Sequence, residues 1–169
     1  MSITKATLND AAELTRLVNS AYRGESSQKG WTSEAHLLGG IRIDEPNMAG
    51  YLLGDNVTML KYTDHDGKII GSVYLELKGE RLYLGMLTVS PTLQAKGIGR
   101  QLLKKAEEIA HQLNCRVIFM TVITSRAELI KWYERRGYRA NGKIIPFPSD
   151  TKFGVPNQVI ELAEFEKEV

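Results

Sequence analysis

The residues best suited to chemistry lie from Leu84 to Leu103, LGMLTVSPTLQAKGIGRQLL. A strand-like run stops at Ser90-Pro91, and a short loop then carries Gln94, Ala95, Lys96, Gly97, Ile98 and Gly99. A helix starts there at once, with Arg100 in its first turn. Two glycines two apart let the backbone turn sharply and approach a ligand closely. A helix N-terminus adds free N–H groups and a partial positive charge, and the combination makes a seat for a phosphate. The same glycines would also serve a plain strand-to-helix turn. A dinucleotide fingerprint needs G-x-G-x-x-G, whereas Arg100, Gln101 and Leu102 follow here, and no Gly-Lys-Ser/Thr completes a Walker A loop.

The elements that must hold this loop are legible from periodicity. Residues 2–7 read as a first strand. Asn9 or Asp10 can cap a helix with Ala11, Leu14, Leu17, Val18 and Ala21 on its apolar face. The polar stretch 23–31 reads as a loop, followed by a short helix from Thr32 or Ser33 to about Leu38 that Gly39-Gly40 ends. A further helix starts at Asp44-Glu45-Pro46, with proline in its first turn. Period-two alternation then marks strands over 57–62, 68–77 and 81–89, joined by turns at 64–67 and 79–80. Ile98, Leu102, Ala106, Ile109, Ala110 and Leu113 form one stripe of a helix over 97–113, about 25 Å long at the standard rise. Arg116–Val122 has the unbroken apolar character of a buried strand. Ser125 and Glu128 suit a capping box, and Gly137 ends the helix that they open. Tyr138–Ala140 reads as a short strand, 142–156 as a proline-containing loop and Gln158–Phe165 as the closing strand. The order β-α-α-α-β-β-β-α-β-α-β-β predicts an α/β fold with a mixed sheet. An antiparallel meander feeds a β-α-β crossover, with helices on both faces.

Composition narrows the function classes. The chain has 169 residues, 43% apolar and 25% charged, as expected for one globular domain over 1–169. A formal charge of +2 without a Lys/Arg run argues against nucleic acid. The local cluster Arg135, Arg136 and Arg139 sits at a helix end, where cations suit the dipole. One cysteine, Cys115, excludes an internal disulfide, and His36, His65 and His111 are too scattered for a metal motif. No stretch has transmembrane length and no signal-peptide pattern opens the chain, so no membrane association is expected and the default location is cytoplasmic.

The pattern Q-x-x-G-x-G after LTVSP, with the element order, resembles the GNAT-type N-acetyltransferases over nearly the whole chain. The run SRAELIKWYERRGY, Ser125–Tyr138, resembles that family's second signature through Trp132-Tyr133 and Gly137-Tyr138. The resemblance implies that acetyl-CoA is the co-substrate, without metal, and that backbone N–H groups from Gln94 to Arg100 hold its pyrophosphate. It implies that the pantetheine arm pairs with Leu87, Thr88 and Val89, and that a backbone N–H, taken as that of Leu87, polarises the thioester carbonyl. It implies that Tyr133 points at the thioester sulfur, while Trp132 reads as a core aromatic. Many members carry Asn near the start of the second helix. Here Arg126 stands in that region, either touching the cofactor or facing solvent.

Acetyl transfer to an amine also needs a neutral amine and a proton for the leaving thiolate. Several members carry Glu in the middle of the strand over 81–89, which here has no carboxylate. Glu76 on the neighbouring strand is the best substitute as base, directly or through water, and Glu25 and Glu34 are other candidates. Glu25, Trp31 and Glu34 are the expected acceptor-site residues, in or beside the early polar loop. An α-amino group has a pKa of about 7.7–8.0 against about 10.4 for lysine, so the missing base favours a weakly basic amine. The acceptor is left open between a small amine and a peptide or protein amine, and the assembly between monomer and homodimer. A silent acyl-CoA-binding regulatory module, or a transferase for succinyl or propionyl groups, would carry the same loop.

Overall fold

The computed structural model describes residues 1–22, 38–39, 42–94, 96–146, 155–156 and 160–169. Among them the chain runs β1 (Ser2–Lys5), a 3-10 turn (Leu8–Asp10), α1 (Ala11–Tyr22), β2 (Leu38–Gly39), α2 (Glu45–Leu52), β3 (Val57–Thr63), β4 (Ile69–Lys78) and β5 (Arg81–Val89). A second 3-10 turn (Pro91–Leu93) leads to α3 (Ile98–Gln112), β6 (Val117–Ile123), α4 (Ala127–Glu134), β7 (Arg139–Pro146), β8 (Val155–Pro156) and β9 (Glu161–Glu168). Seven strands form one mixed sheet in the order β1-β3-β4-β5-β6-β9-β7. The meander β3-β4-β5 is antiparallel, β5 and β6 are parallel across α3, and β9 inserts antiparallel between β6 and β7.

Alternation along the strands feeds two cores, one on each face. Leu60, Val73, Leu75, Leu82, Leu84 and Ile118 pack with Ile98, Leu102, Leu103 and Ala106 of α3 and with Tyr133 of α4. Met59, Tyr74 and Met86 pack on the other face with Leu14, Leu17 and Val18 of α1 and Met48 of α2. Each fully buried leucine in these layers contributes about 1.5–3 kcal/mol. Asp44 caps α2 by accepting from the Asn47 N–H at 2.8 Å, with Pro46 in the first turn, as expected.

Four local expectations change. The first helix is preceded by a 3-10 turn, in which the Thr7 N–H donates to Asp10 at 2.8 Å, so Asp10 braces the entry instead of capping the helix. Leu38–Gly39 is not a helix end but a short strand paired with Val155–Pro156, a contact between segments remote in sequence. The region after Tyr138 is no loop up to Pro146, because β7 runs along β9 at the sheet edge. An edge strand tolerates proline and exposed polar residues, so its pattern carries no alternation. Finally, α4 begins at Ala127 without a side-chain cap. Glu128 turns its carboxylate to Arg126, 3.5 Å away, and the Ser125–Glu128 capping box does not form.

Candidate active site

The site is built where β5 and β6 part. These parallel strands pair only from Arg81–Tyr83 to Val117–Phe119, although both continue for several residues. The cause lies on the other edge of β5. Tyr74 pairs with Gly85 and Ser72 with Thr88, so Met86 and Leu87 together face Val73. This is a β-bulge, which bends the strand and reverses its parity. Met86 takes φ 47°, a left-handed conformation that costs a non-glycine residue about 1–2 kcal/mol. Leu82 and Leu84 face the core under α3, Met86 faces the opposite core, and Leu87 and Val89 return to the first. The glycine inside the strand, Gly85, was the one sequence signal for the bulge.

A wedge therefore opens beside Leu87–Val89. Its edge carbonyls point away from β4: the Leu87 carbonyl accepts from the Tyr22 hydroxyl at 2.8 Å, and the Val89 carbonyl accepts from Gln94 Nε2 at 3.3 Å. The Gln94 side chain thus braces the loop that leads into α3. Gly97 is the residue before α3, with φ 83° and no side chain capping the helix. The first carbonyl to be used inside α3 is that of Gly97, which accepts from the Gln101 N–H at 3.1 Å. The N–H groups of Ile98, Gly99 and Arg100 precede that bond and are the helix's unpaired donors. An added Cβ at Gly99 would reach only ordinary contact with Trp132, at 3.5 Å, so Gly97 is the glycine that the turn requires.

These groups line a cleft of about 300 Å³. Of the residues expected at the cofactor, Leu87, Thr88, Val89, Gln94, Gly97, Ile98, Gly99, Arg100 and Arg126 line it, together with Tyr133. Arg126 is buried, directly before α4. Lys96 is exposed and outside the lining, and Ala95, Glu25, Trp31 and Glu34 lie outside the described residues. Glu76 is also outside the lining. Its carboxylate accepts from the Tyr74 hydroxyl at 2.5 Å and from Asn56 at 3.4 Å, on the face of the sheet that α1 and α2 cover.

Four residues at the cleft were not foreseen there: Ala21, Tyr22, Leu129 and Arg136. Trp132, expected as a core aromatic, lines it too. The Arg136 guanidinium stacks 3.9 Å from the Trp132 ring centre and donates to the Trp132 carbonyl at 2.9 Å. Burial, followed by the neighbouring Arg135 and Arg100, pushes its pKa down from the ordinary guanidinium value. This concentration of positive charge beside the open end of α3 suits an anionic ligand. Its trace in the sequence was the pair Arg135-Arg136, which helix-dipole reasoning absorbed.

Tyr133 is buried in the cleft wall, edge-on to Trp132 and Tyr138. Burial raises its pKa well above that of an ordinary phenol, with Tyr22 and Tyr138 adding to the effect and Arg126 opposing it. The hydroxyl therefore keeps its proton at neutral pH. Among the described residues, no three His, Cys, Asp or Glu side chains gather as a metal site, and no helix is long and apolar enough to cross a membrane.

A model of the acetyltransferase (GNAT) family matches residues 12–138. The protein YdhI of Bacillus subtilis strain 168, itself uncharacterized, is 27% identical over 97 residues; the match covers 56% of this chain and 59% of that protein's length. Among solved structures, the ribosomal-protein-S18-alanine N-acetyltransferase of Escherichia coli superposes with a TM-score of 0.74 at 17% identity, over 99% of this chain and 93% of that one. The ribosomal-protein-alanine N-acetyltransferase of Brucella melitensis gives 0.74 at 20% identity over 100% of both chains. The IAA acetyltransferase of Bacillus cereus gives 0.68 at 18% identity over 99% of both. The mixed sheet and its flanking helices are the architecture that these proteins share with this chain.

Proposed function

The chain belongs to the GNAT acetyltransferase family, and from that premise we propose that it moves an acetyl group from acetyl-CoA directly to a primary amine. The observation that carries this reading is that one cleft joins the uncapped start of α3, with Gly97 at φ 83°, to the protonated Tyr133. Acetyl-CoA supplies the acetyl group as a thioester. The N–H groups of Ile98, Gly99 and Arg100 would hold its diphosphate, with Arg136 and Arg126 as charged partners. Leu87–Val89 would pair with the amide-bearing arm along the wedge, and the Leu87 N–H is the proposed donor to the thioester carbonyl. Tyr133 holds the proton that the departing thiolate needs. In the balance of the reaction the amine loses one proton and the thiol gains one, so no external acid or base is consumed.

The acceptor is proposed to be a weakly basic amine, such as a small α-amine or the α-amino group of a peptide or protein. No carboxylate lines the cleft among the described residues, and an α-amino group is partly neutral near pH 7 without help. The similar E. coli and Brucella structures are of enzymes that act on an alanine of a ribosomal protein, which is in keeping with this choice. The test is release of free CoA thiol from acetyl-CoA across a library of amines. Alaninamide is expected to react faster at pH 7 than Nα-acetyl-lysinamide. Thiol release that no amine accelerates would remove the reading in favour of a binding module.

Glu76 is proposed to take up the amine's proton through water, from the face opposite the cleft. Because the Tyr74 hydroxyl already occupies one of its oxygens, its share is expected to be modest. Glu76→Gln should lower kcat/KM for the amine about tenfold at pH 7, below the usual range for a general base. The loss should shrink as pH rises and the amine deprotonates by itself; a loss that persists at high pH would assign Glu76 to structure. Glu25, Trp31 and Glu34 are proposed to wall the acceptor site. Trp31→Ala and Glu34→Gln are expected to raise the KM of the amine several-fold while calorimetry shows unchanged CoA affinity. A change confined to CoA would place them elsewhere.

A further inference from the structure

The strand β5 carries no carboxylate, yet the place where one would project is filled. Gly85 has no side chain, and the ring of Tyr83 lies over it: a Cβ built on Gly85 would stand 2.9 Å from Tyr83 Cε2 and 3.2 Å from its hydroxyl oxygen. Tyr83 and Phe119 are the last residues that pair between β5 and β6. Thr121 is two residues further along β6, on the same face as Phe119. Tyr83 sits on the face covered by α1 and α2, whereas Tyr133 and the cleft-lining Leu87 and Val89 pack on the other. The wedge is therefore the passage between the two faces, and Tyr83 stands at its apex on the side away from the cofactor cleft.

The surroundings of the phenol are mixed. Tyr74 meets its ring edge-on at 6.1 Å and Phe119 at 5.4 Å, and the Lys78 ammonium lies 5.3 Å from its centre. Arg42 and Glu76 are the charged groups near its oxygen. Burial raises its pKa above that of an ordinary phenol, so the group is neutral near pH 7. A neutral phenol oxygen can accept a hydrogen bond as well as donate one.

We propose that Tyr83 is the acceptor-binding residue: its phenolic oxygen, seated over Gly85, accepts an N–H of the incoming amine and turns the nitrogen lone pair into the wedge. This rests on the transferase reading given above. It accounts for Gly85, since any larger residue there would push the ring away.

The experiment measures amine-dependent thiol release with alaninamide in wild type, Tyr83→Phe, Gly85→Ala and the double variant, alongside calorimetric CoA affinity and melting temperature. Tyr83→Phe keeps the ring and removes one hydrogen bond, so kcat/KM for alaninamide should fall about tenfold, chiefly through KM, with CoA affinity and melting temperature unchanged. Gly85→Ala should give a similar loss, and the double variant should be no worse than the poorer single one, because both act on one contact. Wild-type kinetics in Tyr83→Phe would overturn the inference while leaving the transferase intact, as would independent, multiplying losses in the double variant. Failure of the wild type to acetylate any amine would overturn the transferase reading and this inference together.

Discussion

Gly97→Val is expected to abolish acetyl-CoA binding in a protein that still folds. Gly97 holds φ 83° directly before α3. A residue with a Cβ pays about 1–2 kcal/mol there, and a β-branched one is a genuine outlier in that region. The strain can be released only by swinging the loop, which turns the N–H groups of Ile98, Gly99 and Arg100 away from the cleft. The core is not involved: the nearest atom to an added Cβ is Arg100 Nη2, at 4.0 Å. A loss of this size lowers the melting temperature by about 2–8 °C in a chain of this length. Calorimetric titration with CoA is expected to show no measurable binding, and a folded variant with normal affinity would rule the seat out.

Tyr133→Phe is expected to lower kcat by about 10²–10⁴, the usual worth of a positioned general acid, with folding and CoA affinity nearly unchanged. The ring contacts to Trp132 and Tyr138 survive the substitution, so only the hydroxyl is tested. The thiol formed is a stronger acid than a buried phenol: cysteine has a reference pKa of about 8.5 against about 10 for tyrosine, and burial moves Tyr133 further up. Full proton transfer from Tyr133 alone is therefore uphill. Its proposed part is to donate a hydrogen bond to the departing sulfur. The sign of the pKa shift gives a second readout. A phenol whose pKa is raised stays protonated as pH increases, so the rate should climb with deprotonation of the amine and show no fall from Tyr133 up to about pH 10. Full kcat in the Phe variant, measured where chemistry limits the rate, would remove the role; parallel losses of stability and activity would mark Tyr133 as a core aromatic.

Much of the site was legible because it is local. The stripe from Ile98 to Ala110 announced α3, and its buried residues lie on that stripe except for Leu103. Gly97 was marked by the turn that it must make. Asp44-Glu45-Pro46 marked the start of α2 in the same way. The misreadings came where a residue's partner is remote. Glu128 matches a capping box by spacing, but the buried Arg126 takes its carboxylate. Residues of β7 show no apolar alternation because they pair through their backbone at an exposed edge.

What the amino-acid order determined by itself is α1, α2, α3 and the strands β3 to β6, with the turn that Gly97 makes before α3, since helix stripes, turns and glycine conformations depend on residues within a few positions of one another. Only the tertiary structure decided how the cleft is shaped. The bulge at Met86 exists because β4 and β5 pair with one residue to spare. The wedge exists because β5, bent by that bulge, leaves β6 after Tyr83. Arg136 and Trp132 reach the cleft because α4 packs beside the start of α3, and Tyr22 reaches Leu87 across 65 positions of sequence. Strand register and helix packing are set by pairings between distant segments, whose energies no window of sequence contains.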